Sequence, residues 1–494
     1  MSRLFGRIKV LSDEEMQLVH TAALEVLETV GVKIYHQGAR EILRDFGCRV
    51  EENSPLVKFP SALVEDSVGR LRRDFLRPER AGLKQAVRYS EVSYYRRDEE
   101  LYHDFTTSAG GFCTLIYDLQ GRRRPATMSD VHDSFKLINS LDDITYAGLP
   151  CSDQKTPHPL RPVKMAAELV KYTGKLGGIE AWTLDDVRCI EEIAIVVRGS
   201  RERLLAEPCL VGYGESRSPL ALDENMAAIF IEYIKRGLPQ SIDTMPSAGT
   251  TAPATGAGTL TIGMAETLAG LVLGYAVDQN AILSLDFTGG YCDMRNLLFP
   301  YAGPDRLALL GGRIQLLKDF YGITSGVHGG KTNACEPGFQ AGMEKASSTL
   351  FPLLCGASGI GTVGQLESGM TFSPVQLVLD AECVRATRRI LAGFEVNSDT
   401  LGLEAIRRVG PEGNFIADPH TARHFRREFW LSELTECLNW ETYSRKSIRG
   451  MERLAAERAS QILDRPLEPV LDQQQIAEID RIVAHAEKRV KQSS

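Results

Sequence analysis

None of the ten cysteines stands in a CxxC pair, so the thiols read as reduced side chains in a cytoplasm. No secretory leader is expected either, because MSRLFGRIKVLSDEE lacks the apolar centre of a signal peptide. A basic surplus is missing too. The net charge of −8 advertises no face for nucleic acid and no polybasic membrane anchor. The uncharged run between Asp243 and Glu266 is broken by Pro246, Pro253 and several glycines, which makes it a poor membrane span. GxSxG, HExxH and GKS/T motifs are absent, so acyl transfer, zinc proteolysis and phosphoryl transfer lose support. A soluble cytoplasmic protein is expected.

What is present begins with an ordinary globular balance, 43% hydrophobic and 25% charged. The 494 residues exceed one average domain, yet a decorated barrel can take most of them as one unit. A core of that size needs no disulfide or metal staple. The richest stretch is 238–275, LPQSIDTMPSAGTTAPATGAGTLTIGMAETLAGLVLGY, a short strand joined to a long apolar helix. Its small residues would let a ligand approach the backbone, as at the C-terminal end of a barrel strand. The same residues also read as a plain linker before a buried helix.

Residues 1–125 read as an N-terminal layer. Ser12 and Glu15 predict a capping box before MQLVHTAALEVLETV, which ends at Gly31. FCTLIYDLQGRRRPAT predicts a hairpin turning at Gln120–Gly121, and Ser129–Asp130 are expected to cap the next helix. From about 145 short apolar segments recur: 145–150, 177–182, 208–214, 240–246, 281–287, 323–329, 353–359 and, more faintly, AGFEV at 392–396. The first seven are each followed by a helical stretch. Eight strands alternating with helices predict an α/β chain with a TIM-type (β/α)8 barrel over 126–460. An open doubly wound sheet is the alternative. A helical tail, 461–494, completes the expected organisation, with LDQQQIAEIDRIVAHAEKRV as an amphipathic surface helix.

Several motifs have bland readings beside sharp ones. Gly359, Gly361 and Gly364 spell GxGxxG, but the dinucleotide fingerprint must open a helix, and QLESGMTFSP follows instead. His420, His424 and Glu428 would share one helix face in the manner of a metal site. Asp418–Pro419 places His420 at the helix start, however, and the arginines at 423, 426 and 427 make a nearby cation costly, so a docking helix is the simpler reading. No metal is expected. The corrinoid-binding signature DxHxxG is also missing, since DVHDSF at 130 and DPHTAR at 418 lack the glycine.

On the barrel reading Glu180, Trp182, Tyr213, Glu215, Asp243, Asp286, Phe287 and His328 sit near C-terminal strand ends. Aromatic faces mixed with carboxylates are what a desolvated organic cation would want. A nearby Arg, Lys or His would pair a substrate carboxylate.

Five segments then resemble one family, the trimethylamine–corrinoid methyltransferases and their relatives acting on quaternary amines. They are TMPSAGTTAPATGAG (244–258) with AETLAGLVLGY (265–275), FQAGMEKA (339–346), GQLESGMTFSPVQLVLDAE (364–382) and GNFIADPHTARHFRREFW (413–430). With the N-terminal LSDEEMQLVHTAALEVLETVGV they span nearly the whole chain in order. The resemblance implies a TIM-type barrel enzyme passing a methyl group from an N-methylated amine to the Co(I) of a separate, small corrinoid protein. Archaeal trimethylamine enzymes of the family carry pyrrolysine after a late strand. The similar region here, HGGKTNACEPGFQAGMEK (328–345), holds only ordinary residues. That departure implies the branch using quaternary amines, glycine betaine foremost, with proline betaine, carnitine or butyrobetaine beside it.

A quaternary nitrogen leaves as a neutral tertiary amine, so positioning and desolvation should suffice without a general acid. An aromatic box is therefore expected at the ammonium end, from Tyr213, Phe287 and Phe372. His328, Lys331 and Asn333 would meet the substrate carboxylate, with Gln365 and Glu367 as further polar contacts. Tyr95 and Phe105 would close over the mouth. This chain should bind no cofactor itself and should act as a homo-oligomer. Two other readings stay open: a non-catalytic quaternary-amine sensor or scaffold, and a barrel enzyme holding a flavin or nicotinamide at 356–364.

Overall fold

The computed structural model describes residues 4–75, 105–323, 325–446 and 450–493. The expected site residue Tyr95 lies outside them. The chain is mixed α/β, and its first helix, Asp13–Glu25, starts in the Ser12–Glu15 capping box. Its last turn widens into a short π-helical stretch, Val26–Val30, ended by Gly31 at φ 83°. The hairpin also forms as read, with Leu115–Tyr117 antiparallel to Arg123–Pro125. The next helix is capped two residues earlier than expected. Thr127, not Ser129–Asp130, is its N-cap, and Asp130 completes the box from the N3 position.

Parallel pairing starts before residue 145. Thr106–Ala109 lies between Gly359–Ile360 and Tyr146–Ala147, parallel to both. Ala147 bridges to Leu176, and a Cβ at Gly178 would come 2.7 Å from the Val211 carbonyl. Gly214–Glu215 pairs with Ile242–Asp243, and Gln240 bridges to Leu283. Asp286 meets Ser325, and Val327 bridges back to Ile360.

Two expectations are corrected here. AGFEV forms no strand: Ala392 ends the helix Pro374–Ala392, and Phe394 and Val396 are exposed. Its place is taken by Thr106–Ala109, whose polar sequence hides a fully buried strand. Residues 106–109, which the sequence reading places in the N-terminal layer, thus pair within the parallel set. The segment 353–359 contributes only its end, because Leu353–Cys355 closes the preceding helix.

Helices Met128–Ser140, Arg161–Tyr172, Leu184–Arg198, Glu224–Lys235, Gly256–Val277, Pro304–Gln315, Phe339–Cys355 and Pro374–Ala392 follow the parallel segments in turn. The longest, Gly256–Val277, is apolar enough to cross a membrane by length and composition, yet 78% of that window is buried inside the protein. Its glycines explain the burial. Cβ atoms at Gly263, Gly270 and Gly274 would lie 2.5–2.7 Å from Phe287, Ile242 and Leu283, so this stripe seats strand side chains. The N-terminal sheet joins the rest through Val32–Ile34, antiparallel to Leu56–Lys58 and parallel to Ala221–Leu222. The C-terminal helices Met451–Leu463 and Gln473–Ser493 pack on the outer helices.

Candidate active site

Where successive parallel segments end, their side chains and glycines surround a cavity of about 270 Å³ that shares Glu180, Tyr213, His328 and Thr362 with a second, smaller one. Gly110, Gly148, Gly178, Gly212 and Gly361 form the inner wall. Close approach of neighbouring backbones excludes Cβ atoms at Gly178 and Gly212, and the same absence leaves space for a ligand.

Polar groups cover the outer part. Glu180, Glu215 and Asp243 line it with Tyr213 and Tyr301, and His328 and Lys331 come from the loop after the seventh parallel segment. The Lys331 ammonium sits 4.5 Å from the centre of the Tyr301 ring. Glu180 opens partly to the cavity but lies deep in the molecule. That burial, with the Glu215 carboxylate beside it, pushes its carboxyl up to about 7, against a hydrogen bond with Trp182 and the charge of Lys331. The net character is acidic, with one lysine.

Beyond the acids, Phe112 lines the second cavity and begins a chain of three rings. Phe112 and Trp182 lie 6.1 Å apart, and His158 stacks on Trp182 at 4.5 Å.

Glu266, the first charge after Asp243, has a structural task beneath this wall. It accepts from Leu220 N at 2.6 Å, Ser218 Oγ at 2.8 Å and Thr244 Oγ1, tying the loop after Glu215 to the residue after Asp243. Burial raises its carboxyl while these donors favour the charged form. Glu266→Ala is expected to weaken substrate binding by ~10-fold or more by freeing that loop, whereas Glu266→Gln keeps part of the network. Equilibrium binding and hydrogen exchange over 214–222 check this; an unchanged exchange rate in Glu266→Ala refutes it.

Of the residues expected in the site, Tyr213, His328 and Lys331 line the cavity. Phe287 and Phe372 do not. Both are wholly buried on the other face of their segments, Phe287 against Gly263 and Phe372 against Gly364. Phe105 is also core, at the opposite end of its strand, under the Arg388 guanidinium at 5.0 Å. It cannot close a mouth. Asn333 lies behind the wall, donating to Phe299 O at 2.9 Å and Ser368 Oγ at 2.7 Å. Gln365 is buried and braces Gly110 O from outside the cavity. Glu367 is drawn away by Arg123 at 2.7 Å. Asp286 likewise turns to Arg313 at 2.8 Å.

The loop 246–258 contributes nothing to the lining; its neighbours Asp243, Thr244 and Met245 do. Tyr301 and Phe112 were missed. No motif marks them, although an aromatic in the loop after a strand-end Asp-Phe is a findable signal. His420 and His424 lie far along the chain on Pro419–Glu428, where Asp418 caps the helix and Asp399 meets both rings.

Residues 1–491 match the family model for trimethylamine methyltransferase (MTTB). The chain belongs to the trimethylamine methyltransferase family. Among relatives of this family member, a glycine betaine methyltransferase of Desulfitobacterium hafniense (strain Y51) is 26% identical, with 99% of each chain covered. A trimethylamine methyltransferase, MttB, of another strain of that species is 27% identical over 96% of this chain and 93% of its own. The Methanosarcina thermophila MttB is 28% identical over 83% of each. The crystal structure of Methanosarcina barkeri monomethylamine methyltransferase aligns over 98% of this chain and 88% of that one, at TM-score 0.43 and 11% identity.

Proposed function

We propose that this methyltransferase moves a methyl group from a quaternary amine, glycine betaine first, to the Co(I) of a corrinoid carried by a separate small protein. One observation carries the reading: carboxylates, tyrosine rings, Lys331 and His328 line one cavity, with the Lys331 ammonium 4.5 Å from the centre of the Tyr301 ring. A zwitterion has both charges to match. Cation–π attraction and the acidic field suit the ammonium, and a charge-assisted hydrogen bond from Lys331 suits the carboxylate. The family match and the full-length likeness to a glycine betaine methyltransferase support the same class.

As the methyl carbon bonds to cobalt, the C–N bond breaks and its electron pair stays on nitrogen. The amine leaves neutral, so no proton is needed. The cavity's work is to orient one N–CH3 bond and to exclude water. An aromatic box alone is not what lines it, since three carboxylates share the wall. Glu180, whose carboxyl is pushed up to about 7 by burial and Glu215, contributes its full charge to that field only above neutral pH.

The architecture we propose is a TIM-type (β/α)8 barrel of the eight parallel segments, with the N-terminal boundary moved to about residue 105. No corrinoid is assigned to this chain, whose sequence lacks DxHxxG. A soluble, cytoplasmic homo-oligomer completes the proposal. Ile416, Leu431, Trp440, Phe394 and Phe429 stand 61–86% exposed within residues 394–440, a concentration of apolar surface that fits contact between copies.

The test is anaerobic, with reduced cobalamin or the cognate corrinoid protein and a panel of glycine betaine, proline betaine, carnitine, butyrobetaine, choline and trimethylamine. Methylcobalamin should grow with a betaine and not with trimethylamine. Transfer from trimethylamine alone, or none with the cognate protein, overturns the proposal.

A further inference from the structure

We propose that the Lys331 ammonium is a displaceable plug on the Tyr301 ring, so that the cavity selects amines bringing their own anionic group. The inference rests on the quaternary-amine reading above and assigns to one contact the choice among such amines. Lys331 and Tyr301 both line the cavity, and the ammonium occupies the ring face at 4.5 Å. The ring has little else to offer. Phe299 packs on it at 4.7 Å, and the Arg306 guanidinium stands 5.3 Å from its centre. Arg306 is fully buried and held by the Tyr301 carbonyl, so Lys331, on a partly exposed flexible stem, is the cation that can move.

The backbone beneath Lys331 is pinned. Thr332 Oγ1 donates to Glu344, Asn333 N donates to the same carboxylate at 2.9 Å, and the Asn333 amide reaches Phe299 O. That last bond couples the two loops and keeps the Lys331 stem beside Tyr301. Only the side chain has to swing.

For a simple cation such as choline, taking the Tyr301 face means expelling another cation and gaining no more than that cation loses. For a zwitterion the exchange differs. Its carboxylate gives Lys331 a charge-assisted hydrogen bond, stronger than the contact with the ring, while its own ammonium takes the vacated face. Discrimination against uncarboxylated amines then follows although three acids line the wall.

Calorimetric binding to the purified full-length chain tests this without any corrinoid. Lys331→Met should weaken glycine betaine ~10–100-fold and tighten choline ~3–10-fold. Removing one positive charge from an acidic cavity would by itself help choline, so Tyr301 decides between the causes. In the Lys331→Met background, Tyr301→Leu should erase the gain for choline and Tyr301→Phe should keep it. A gain that survives Tyr301→Leu, or choline binding unmoved by Lys331→Met, overturns the plug while leaving the functional reading in place. If neither amine binds the unmodified protein, the functional reading falls and the plug with it.

Discussion

Replacing Glu180 with glutamine is expected to stabilise the fold and weaken amine binding in the same pH range. The carboxyl rises from an ordinary 4.5 to about 7 because burial and the Glu215 charge oppose its ionisation. Between those values the unfolded chain has released the proton and the folded one has not. Stability therefore falls as pH rises from 4.5 to 7, and above 7 the full cost of the buried charge is present. At ~1.4 kcal/mol for each tenfold change in proton affinity the cost is ~3 kcal/mol, nearer ~2 once cavity water is allowed for. Glu180→Gln removes it. Unfolding at pH 8 should show a gain of ~2 kcal/mol that vanishes below pH 4.5, where both side chains are neutral.

Binding should move the opposite way. Ionised Glu180 attracts the ammonium, so affinity for glycine betaine in the unmodified protein should climb between pH 6 and 8. In Glu180→Gln that climb should flatten, leaving binding ~10-fold weaker at pH 8. Identical pH profiles in the two proteins, or a loss of stability at pH 8, would remove Glu180 from this role. A residue that costs stability in order to bind is what an acid in a functional cavity is expected to be.

The second large effect lies behind the site. Arg313 is 2% exposed and Asp286 3%, and the pair joins the segment ending at Phe287 to the one beginning at Ser325. Arg313 also donates to Ser325 Oγ at 3.0 Å, to Phe287 O and to Gly326 O, while Ser325 Oγ donates to both Asp286 oxygens at 2.9 Å. Arg313→Met leaves a buried carboxylate that keeps hydrogen bonds from the Ser325 hydroxyl and the Phe287 N–H but loses the Arg313 counter-charge. Such a break costs ~3–5 kcal/mol, far more than an exposed ion pair. Urea unfolding should register that loss, and betaine affinity should drop with it, because Val327 and His328 follow directly from Ser325. A loss below ~1 kcal/mol would show that packing, not this pair, joins the two segments. Pairing Arg313→Met with Asp286→Leu should recover part of the stability and none of the geometry at His328.

Much of this protein was readable from local rules. A capping box needs only Ser12 and Glu15 three residues apart, and a hairpin needs only two strand-like runs about a Gly turn. Alternating strand and helix signals are local as well, so the segments from 145 to 360 could be read in order. Tyr213, His328, Lys331 and the acids Glu180, Glu215 and Asp243 were within reach because they stand where a short apolar run ends. That position alone places them at one edge of the parallel set.

Facing could not be read in the same way. Period-two alternation says that Asp286 and Phe287 point apart, but not which one meets the cavity, and here neither does. Phe287 goes to the helix because Gly263 leaves room for its ring, a fit made across 24 residues. Asp286 goes to Arg313 because a buried carboxylate takes the nearest buried cation. Phe372 and Gln365 follow the same logic, against Gly364 and under Gly110. The strand Thr106–Ala109 escaped notice because its polar residues are satisfied by neighbours, Thr107 N by Thr145 Oγ1 among them. AGFEV misled because apolar residues can also be left at the surface. Composition, spacing and turn chemistry act over a few residues, so the chain alone dictated its elements, their order and its family. Which side chains meet in the cavity depends on contacts between residues far apart in sequence, and those exist only once the elements pack.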